Sequence, residues 1–282
     1  MRTRIVPAAA LGSSGHQEYH LAGTLAPGPR LAVVGSRAAH RGFRDAVEPI
    51  VYAAGRRQWS IVSGGALGID GDAHAAALEA EVPQLAVLPC GPDQPYPPRH
   101  VPLFERIAAA PGSGVLFAHG PGTVPCRGMF ASRNAIVVGL AAAVVVVEAA
   151  ARSGTMLTAT LARRGRRARA VVSGSPGAAI LGAEGAHVLA WDPQQPQRLV
   201  RRVDAWLAAV ERGDAVEPEP PHEAEAWPEH LQWLQGSLRE AGPAGLSLEH
   251  LPSPREALVA LTEAQVLGLV VERASGRYVA VR

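Results

Sequence analysis

Short apolar runs, separated by polar segments that contain glycine, recur through residues 30–212 of this 282-residue chain. The first run is Leu31–Val34, and the most continuous is Ala143–Val147, which Glu148 follows directly. An unbroken β-branched run is typical of a parallel strand that is buried on both faces. Segments of helical length separate the runs, for example residues 42–54. This alternation predicts a Rossmann-like α/β fold with a doubly wound, mostly parallel sheet, whose ligands bind beyond the carboxyl ends of the strands.

The pattern changes at both ends of this region. Residues 1–29 are rich in Gly, Pro and Ala without a sustained period, and we interpret them as an arm or short cap. Residues 213–228 form an acidic, proline-rich linker. Residues 229–282 show helices near 229–240, 247–251 and 254–267, followed by a hairpin across 270–281, and this order predicts a winged-helix-like domain. Because the domain is acidic, we expect it to contact protein or to regulate.

Three predicted strand ends combine glycine with a hydroxyl side chain. They are Gly35-Ser36-Arg37, Ser63-Gly64-Gly65 and Ser153-Gly154-Thr155. Glycine allows the backbone to approach a ligand closely, and the free amides at a helix start attract anions. In one sheet these ends converge along one edge, so together they predict a crevice for phosphate groups. For the second of them, a tight turn whose glycines only solve a packing problem is an equal alternative.

Two further arginine-containing segments are candidates for phosphate binding. The segment Phe130–Asn134 opens the helix before the central strand, and its pair Arg133-Asn134 can bind a phosphate and a base edge. The alternative is an arginine packed on an acid and an asparagine that caps a turn. The cluster over residues 163–169, which includes Arg163 and Arg166, is either a solvated helix end or part of a nucleic-acid surface.

Asp70, Asp72 and His74 suggest a metal or general-base site, but structural roles account for them. Asp70 lies where a helix N-cap belongs, and Asp72 complements the helix dipole. The two cysteines, Cys90 and Cys126, form neither a disulfide framework nor a metal motif. We therefore predict no catalytic set, no metal and no cofactor.

Charge is distributed unevenly, although the net charge is only +2. Residues 30–170 hold 16 Arg against 9 acidic residues, whereas residues 204–282 hold 6 Arg against 13. Such an asymmetry predicts a polyanionic partner for the first region. All 27 basic residues are Arg, which GC-rich coding also explains, but Arg suits bidentate phosphate contacts and stacking on bases.

No apolar run approaches the ~20 residues of a membrane span, and no secretion signal is evident, so we expect a cytoplasmic protein.

Taken in order, the motifs resemble those of the DNA-processing protein A family (DprA, also called Smf). The resemblance covers about residues 31–174. The matching segments are Val33–Arg37, Ser63–Ala66, Gly68–Asp70, Ala73-His74, Ala86–Leu88, Cys90-Gly91, Tyr96-Pro97, Leu103, Phe130, Arg133-Asn134, Gly139-Leu140, Glu148, Ser153-Gly154 and Thr158-Ala159.

The resemblance implies a Rossmann-like protein that binds single-stranded DNA without cleaving it. Such a protein protects incoming DNA during natural transformation, passes it to the RecA recombinase and forms a homodimer. Carried over by position, Arg37 and the turn Ser63–Gly65 hold backbone phosphates, and Arg133, Asn134, Ser153 and Gly154 line the same pocket.

Several positions depart from the family pattern. Leu67 and Ala135 stand where the family usually has basic residues, and His100 stands where asparagine is usual. The usual Val-Pro-Gly turn is here Val172-Ser173-Gly174. These departures predict weaker DNA binding unless the arginines of residues 163–169 compensate.

Two alternatives belong to other functional classes. The first is a nucleotide-binding enzyme or sensor resembling phosphoribohydrolases, which carry a Pro-Gly-Gly-x-Gly-Thr turn; Gly120-Pro121-Gly122-Thr123 resembles that turn only faintly and precedes the wrong element. The second is an adaptor that acts through its winged helix, which leaves the glycine-containing strand ends unexplained.

Overall fold

Nine strands of the described chain form one sheet. They are β1 (Arg4–Pro7), β2 (Glu18–Gly23), β3 (Arg30–Val34), β4 (Ser60–Ser63), β5 (Gln84–Leu88), β6 (Gly114–Phe117), β7 (Ala143–Val146), β8 (Ala168–Val172) and β9 (His187–Leu189). Their order is β1-β2-β6-β5-β4-β3-β7-β8-β9. Strands β3 to β9 run parallel, whereas β1 and β2 are antiparallel additions beside β6. The predicted mostly parallel, Rossmann-like α/β sheet is confirmed.

The computed structural model describes residues 1–11, 18–214, 231–242, 245–247, 257, 260–261, 264, 270–272 and 277–280. The helices are α1 (Arg41–Arg44), α2 (Val47–Arg56), α3 (Ile69–Glu79), α4 (Val101–Ala109), α5 (Arg127–Leu140), α6 (Gly154–Arg164), α7 (Pro176–Ala183), α8 (Pro196–Arg212) and α9 (Gln232–Ala241). Within this part of the chain, no helix combines the length and apolar character that crossing a membrane requires.

Helices cover both faces of the sheet because every central strand buries side chains on both sides. Leu31 and Val33 of β3 pack with α2, α3 and α8, whereas Ala32 and Val34 pack with α5, α6 and α7. Helix α4 packs over β5 and β6 through Phe104 and Ile107. The sheet is therefore the middle of three layers, and its loops remain free at the strand ends.

The N-terminal region differs from the predicted arm or cap, because residues 4–7 and 18–23 are strands of the main sheet. Tyr19 and Leu21 of β2 are buried, and the strand pairs with β6 from His20 opposite Phe117 to Gly23 opposite Gly114. A four-residue strand such as β1 carries almost no periodic signal. Its placement depends on pairing with β2, which the sequence pattern does not reveal.

The helix predicted over residues 42–54 is divided into α1 and α2. Pro49 explains the division, since proline lacks an N–H and its ring clashes with a preceding helical turn. It lies in the first turn of α2, where that amide has no helical partner.

The C-terminal region is described in part. It contains α9 and the strands β10 (Val270–Glu272) and β11 (Tyr278–Ala280), which pair antiparallel. Most of the linker predicted at 213–228, and most of the helices predicted at 247–251 and 254–267, lie outside the described residues. The winged-helix interpretation and its domain boundaries stay predictions.

Candidate functional site

A pocket of about 580 Å³ opens at the carboxyl edge of the sheet, beside the ends of β3 and β7. The chain runs outward from β3 through β4 to β6 and then returns to β7 on the other side of β3, so this is the point where the winding reverses. Open α/β sheets bind ligands at such a point. The pocket contains these predicted site residues: Gly35, Ser36, Arg37, Arg133, Asn134, Ser153, Gly154 and Thr155.

The loop after β3 forms one wall of the pocket. Gly35 is required there because an added Cβ would lie 2.6 Å from Cγ1 of Ile69. The amide of Ser36 donates to the carbonyl of Glu148 over 2.9 Å, and the Ser36 hydroxyl accepts from the amide of Ala38 over 3.2 Å. These bonds fix the backbone of the loop and leave the side chain of Arg37 exposed at its tip.

Flat groups meet at the mouth of the pocket. The guanidinium of Arg37 lies over the ring of Phe130, with Cζ 5.0 Å from the ring centroid. The rings of Tyr96 and Phe130 meet edge to face, with centroids 5.6 Å apart. Tyr96 is 42% exposed, and the nearby Arg127 is also exposed. Phe130 is half-buried. A cation beside accessible aromatic rings is a surface suited to the stacking of unpaired bases.

Arg133 lies in the floor of the pocket and is 4% exposed. Its Nη1 is 3.4 Å from Oδ2 of Asp70, whereas its Nε has no hydrogen-bond partner among the described residues. Burial lowers the pKa of Arg133 from its ordinary value, an effect that the Asp70 carboxylate partly offsets. The arginine packed on an acid, which the sequence offered as the alternative role, is therefore the geometry observed, while Asn134 faces the pocket.

Asp70 does not have the N-cap position predicted for it. The N-cap of α3 is Gly68, at φ 77° and ψ −135°, and Asp70 is the second helical residue, 6% exposed. Its carboxylate accepts from Arg133 and, over 3.4 Å, from the amide of Ala66. Sequence spacing places an N-cap only to within one or two residues, and here glycine holds it because the backbone conformation excludes a side chain.

The first turn of α6 forms the opposite wall. Ser153 is its N-cap, with a hydroxyl that accepts from the amide of Met156 over 3.4 Å and donates to the carbonyl of Ala150 over 3.0 Å. The helix gives the amides of Gly154 and Thr155 no carbonyl partner, so they remain available for an anion. The described residues that line the pocket include three arginines, Arg37, Arg127 and Arg133, against one acid, Asp70, so the lining carries a positive charge.

The predicted turn Ser63–Gly65 lies behind this pocket rather than in its lining. Ser63 is fully buried, and its hydroxyl donates to the carbonyl of Val33 over 2.7 Å. A Cβ on Gly64 would lie 1.0 Å from Nη1 of Arg133, so the absence of a side chain makes room for that guanidinium. Gly65 has φ 66°. These features agree with the packing role, and a role in DNA binding stays a prediction.

Arg163 and Arg166 do not converge with the other predicted residues. Arg163 lies in the last turn of α6, and Arg166 follows the end of the helix. A helix of 11 residues is roughly 16 Å long. The first turn of α6 is at the carboxyl edge of the sheet, so these two arginines lie toward the opposite edge. The sequence identified the cluster by its composition, which carries no information on the direction in which the helix runs.

The prediction from sequence omitted several residues that complete the pocket. Tyr96, Arg127 and Phe130 were not among the candidate site residues, although two of them are aromatic residues in glycine- and proline-rich surroundings. Because aromatic residues are rare in this chain, their position in such loops was the sequence feature that could have identified them as site residues.

Among the described residues, no group of three or more His, Cys, Asp and Glu is placed to hold a metal.

The two cysteines are expected to react at very different rates. Cys90 is fully buried, and burial raises the pKa of its thiol to about 11, so at pH 8 only about one molecule in a thousand carries the thiolate. Cys126 is exposed. Ellman's reagent should therefore label one thiol quickly and the second only after unfolding. The Cys126→Ser variant should lack the fast phase, and a fast phase that persists in it would contradict the assignment.

Comparison with known proteins identifies the family. The family model described as DNA recombination-mediator protein A matches residues 21–195. The DNA processing protein DprA of Mycobacterium tuberculosis H37Rv is 46% identical over 144 residues, which are 51% of this chain but only 36% of that protein. Protein Smf of Escherichia coli K12 is 33% identical over 269 residues, 90% of this chain and 68% of its own length.

Solved structures show the same architecture. The X-ray structure of DprA from Streptococcus pneumoniae superposes with a TM-score of 0.60 at 30% identity, over 67% of this chain and 71% of that one. DprA from Helicobacter pylori, whose structure concerns its binding mode for single-stranded DNA, shares the fold with a TM-score of 0.62 at 24% identity, over 73% and 95% of the two chains. This chain therefore belongs to the DNA recombination-mediator protein A family, the family of the DNA-processing proteins DprA and Smf.

Proposed function

We propose that this protein binds single-stranded DNA in the pocket between the ends of β3 and β7. The observation that carries the proposal is the position of Arg37, whose exposed guanidinium lies over Phe130 at the mouth of the pocket and on the same loop as Ser36. Cationic and aromatic groups together suit a chain of phosphates and unpaired bases. The amides at the start of α6 supply a second anion-binding element opposite them.

Family membership supports a wider role. We propose that the protein acts without cleaving DNA, as a cytoplasmic homodimer that protects incoming strands and passes them to RecA during transformation or recombination. The lining of the pocket agrees with a binding role. Among the described residues that line it, the one carboxylate, Asp70, accepts from Arg133. The Ser153 hydroxyl accepts from the amide of Met156 and donates to the carbonyl of Ala150, so its hydrogen bonds are those of a helix cap.

The first experiment is fluorescence anisotropy of a labelled poly-dT oligonucleotide over a salt series. We expect binding at low salt, with the logarithm of the association constant falling linearly as the logarithm of salt concentration rises, because phosphate contacts release counterions. Unlabelled single strands of other sequences should compete, and duplex of the same length should compete poorly.

Failure to bind at low salt would overturn the proposal. Isothermal titration with mononucleotides and cyclic nucleotides would then test the alternative of a nucleotide-binding enzyme or sensor in the same pocket. The proposed transfer to RecA needs its own measurement, namely the rate at which RecA ATP hydrolysis begins on single strands already covered by this protein. A rate no higher than on strands covered by a non-specific single-strand binder would contradict that step.

Adding a charge at Leu67 should strengthen binding. Leu67 is 41% exposed and follows Ala66, which lines the pocket, and a basic residue is usual at this position in the family pattern. Leu67→Arg is expected to raise affinity about fivefold. The slope of the logarithm of the association constant against the logarithm of salt concentration should steepen by about 0.7, the increment for one added phosphate contact on a single strand. Ile5→Arg is the matched control, since Ile5 is 59% exposed on the far edge strand β1. Equal gains in both variants would show a general charge effect rather than a contact at the pocket.

A further inference from the structure

Glu148 lies directly behind the loop that carries Arg37. It follows β7 with a side chain that is 9% exposed, and it does not line the pocket itself. Its carbonyl accepts from the amide of Ser36 over 2.9 Å. Its carboxylate accepts from the amide of His40 over 3.0 Å through Oε2, and Oε1 lies 2.5 Å from Nδ1 of the same histidine. One residue therefore binds the loop near both of its ends.

The segment between these two attachment points is Ser36–His40, and Arg37 is in it. The other side of the loop contacts the start of α3, where the amide of Ile69 donates to the carbonyl of Ser36 over 3.2 Å. The imidazole of His40 is 83% exposed, so burial does not hold it in place. The ring nitrogen and the backbone amide of His40 both contact the Glu148 carboxylate, which attaches the C-terminal end of the loop to the residue that follows β7.

We propose that Glu148 is a positioning residue that holds the loop Ser36–His40 in the shape that presents Arg37 to single-stranded DNA. The inference rests on the proposed function. It means that the negatively charged Glu148 side chain promotes the binding of negatively charged DNA. Charge alone predicts the opposite effect, because a negative group next to phosphates weakens their binding. The two accounts therefore differ in the sign of the effect expected when the carboxylate is removed.

The test uses the full chain and compares Glu148→Ala with Glu148→Gln. We expect Glu148→Ala to lower affinity for poly-dT about fivefold, within the usual range for coupled neighbours, although it raises the net charge by one. Glu148→Gln retains an oxygen that accepts from the His40 amide, and it should bind within about twofold of the wild type. Glu105→Ala, at an exposed acid on α4, is the charge-matched control and should not lower affinity.

A double-mutant cycle with Arg37→Ala separates positioning from general damage to the fold. If Glu148 acts through Arg37, Glu148→Ala should cost little further affinity once Arg37 is absent. Equal losses in both backgrounds, or an affinity of Glu148→Ala at or above the wild type, would overturn the inference.

Amide hydrogen exchange without DNA provides a readout that does not depend on binding. The amides from Ala38 to His40 should exchange faster in Glu148→Ala than in the wild type, since the acceptor for His40 is gone. Faster exchange combined with a wild type that does not bind DNA would contradict the proposed function while the attachment of the loop stands. Unchanged exchange would contradict the attachment itself.

Discussion

Replacing Arg37 with alanine is expected to weaken binding of single-stranded DNA by about 10- to 100-fold at moderate salt. The side chain is exposed at the tip of its loop, and its guanidinium lies 5.0 Å from the centroid of the Phe130 ring. The substitution thus removes the proposed charge-assisted contact to phosphate and one face of the surface on which we propose that a base stacks. Anisotropy with poly-dT over a salt series measures both effects, and the salt dependence should become shallower by about 0.7 if one phosphate contact is lost.

One variant separates the effect of charge from that of stacking, and a second tests whether an arginine outside the pocket contributes to binding. Arg37→Lys retains the charge but lacks the planar group, so its salt dependence should remain close to that of the wild type while its affinity falls partway. Arg106→Ala removes an exposed arginine from the last turn of α4, outside the pocket lining, and should change affinity less than twofold. Equal losses in Arg37→Ala and Arg106→Ala would mean that the protein binds through diffuse charge and not through this pocket.

Gly68→Ala is expected to lower both the stability of the protein and its affinity for DNA. The residue has φ 77° and ψ −135°, and an added Cβ would lie 2.3 Å from the carbonyl oxygen of Ser36 and 2.7 Å from that of Arg37. Both obstacles are backbone atoms, which cannot rotate away. We expect the free energy of unfolding to fall by about 3 kcal/mol and the midpoint of thermal unfolding by about 10 °C. Calorimetry measures the loss of stability. Fluorescence anisotropy, at a temperature below the thermal unfolding of the variant, measures the loss of affinity for DNA.

Gly122→Ala and Gly154→Ala are the matched controls. Gly122 also has positive φ, 82°, but nothing lies within 4 Å of an added Cβ, so its variant isolates the backbone strain. Gly154 lies in the pocket without such strain and also has open space around an added Cβ. If Gly68→Ala is no less stable than Gly122→Ala, the contact with the loop after β3 is not as close as the structure places it.

The parallel part of the fold is predictable because buried parallel strands leave a continuous apolar signature. Ala143–Val147 is such a run, and glycine follows most of the other runs where the chain turns into a helix. Strands β1 and β2 leave no comparable signature. Strand β2 pairs with the distant β6, from His20 opposite Phe117 to Gly23 opposite Gly114, and β1 pairs with β2. No local pattern records such partners.

The site was predictable to the level of loops but not of side-chain direction. Loops after parallel strands share one edge, and two of the three glycine-containing strand ends therefore meet in one pocket. Whether Arg133 points outward or lies in the floor depends on the rotation of α5 about its axis and on the space that Gly64 leaves. The attachment of His40 to Glu148 spans 108 residues and likewise follows only from the assembled sheet.

The pocket lies where the two halves of the sheet adjoin, and this position has a mechanical consequence. The loop after β3 belongs to the half that continues through β4 to β6, whereas the first turn of α6 belongs to the half that continues through β8 to β9. A strand of DNA that contacts both walls joins the two halves across their seam. Because such a ligand binds only when both halves are folded and in place, it stabilises them together. We therefore expect the two halves to unfold more cooperatively in the occupied protein than in the empty one.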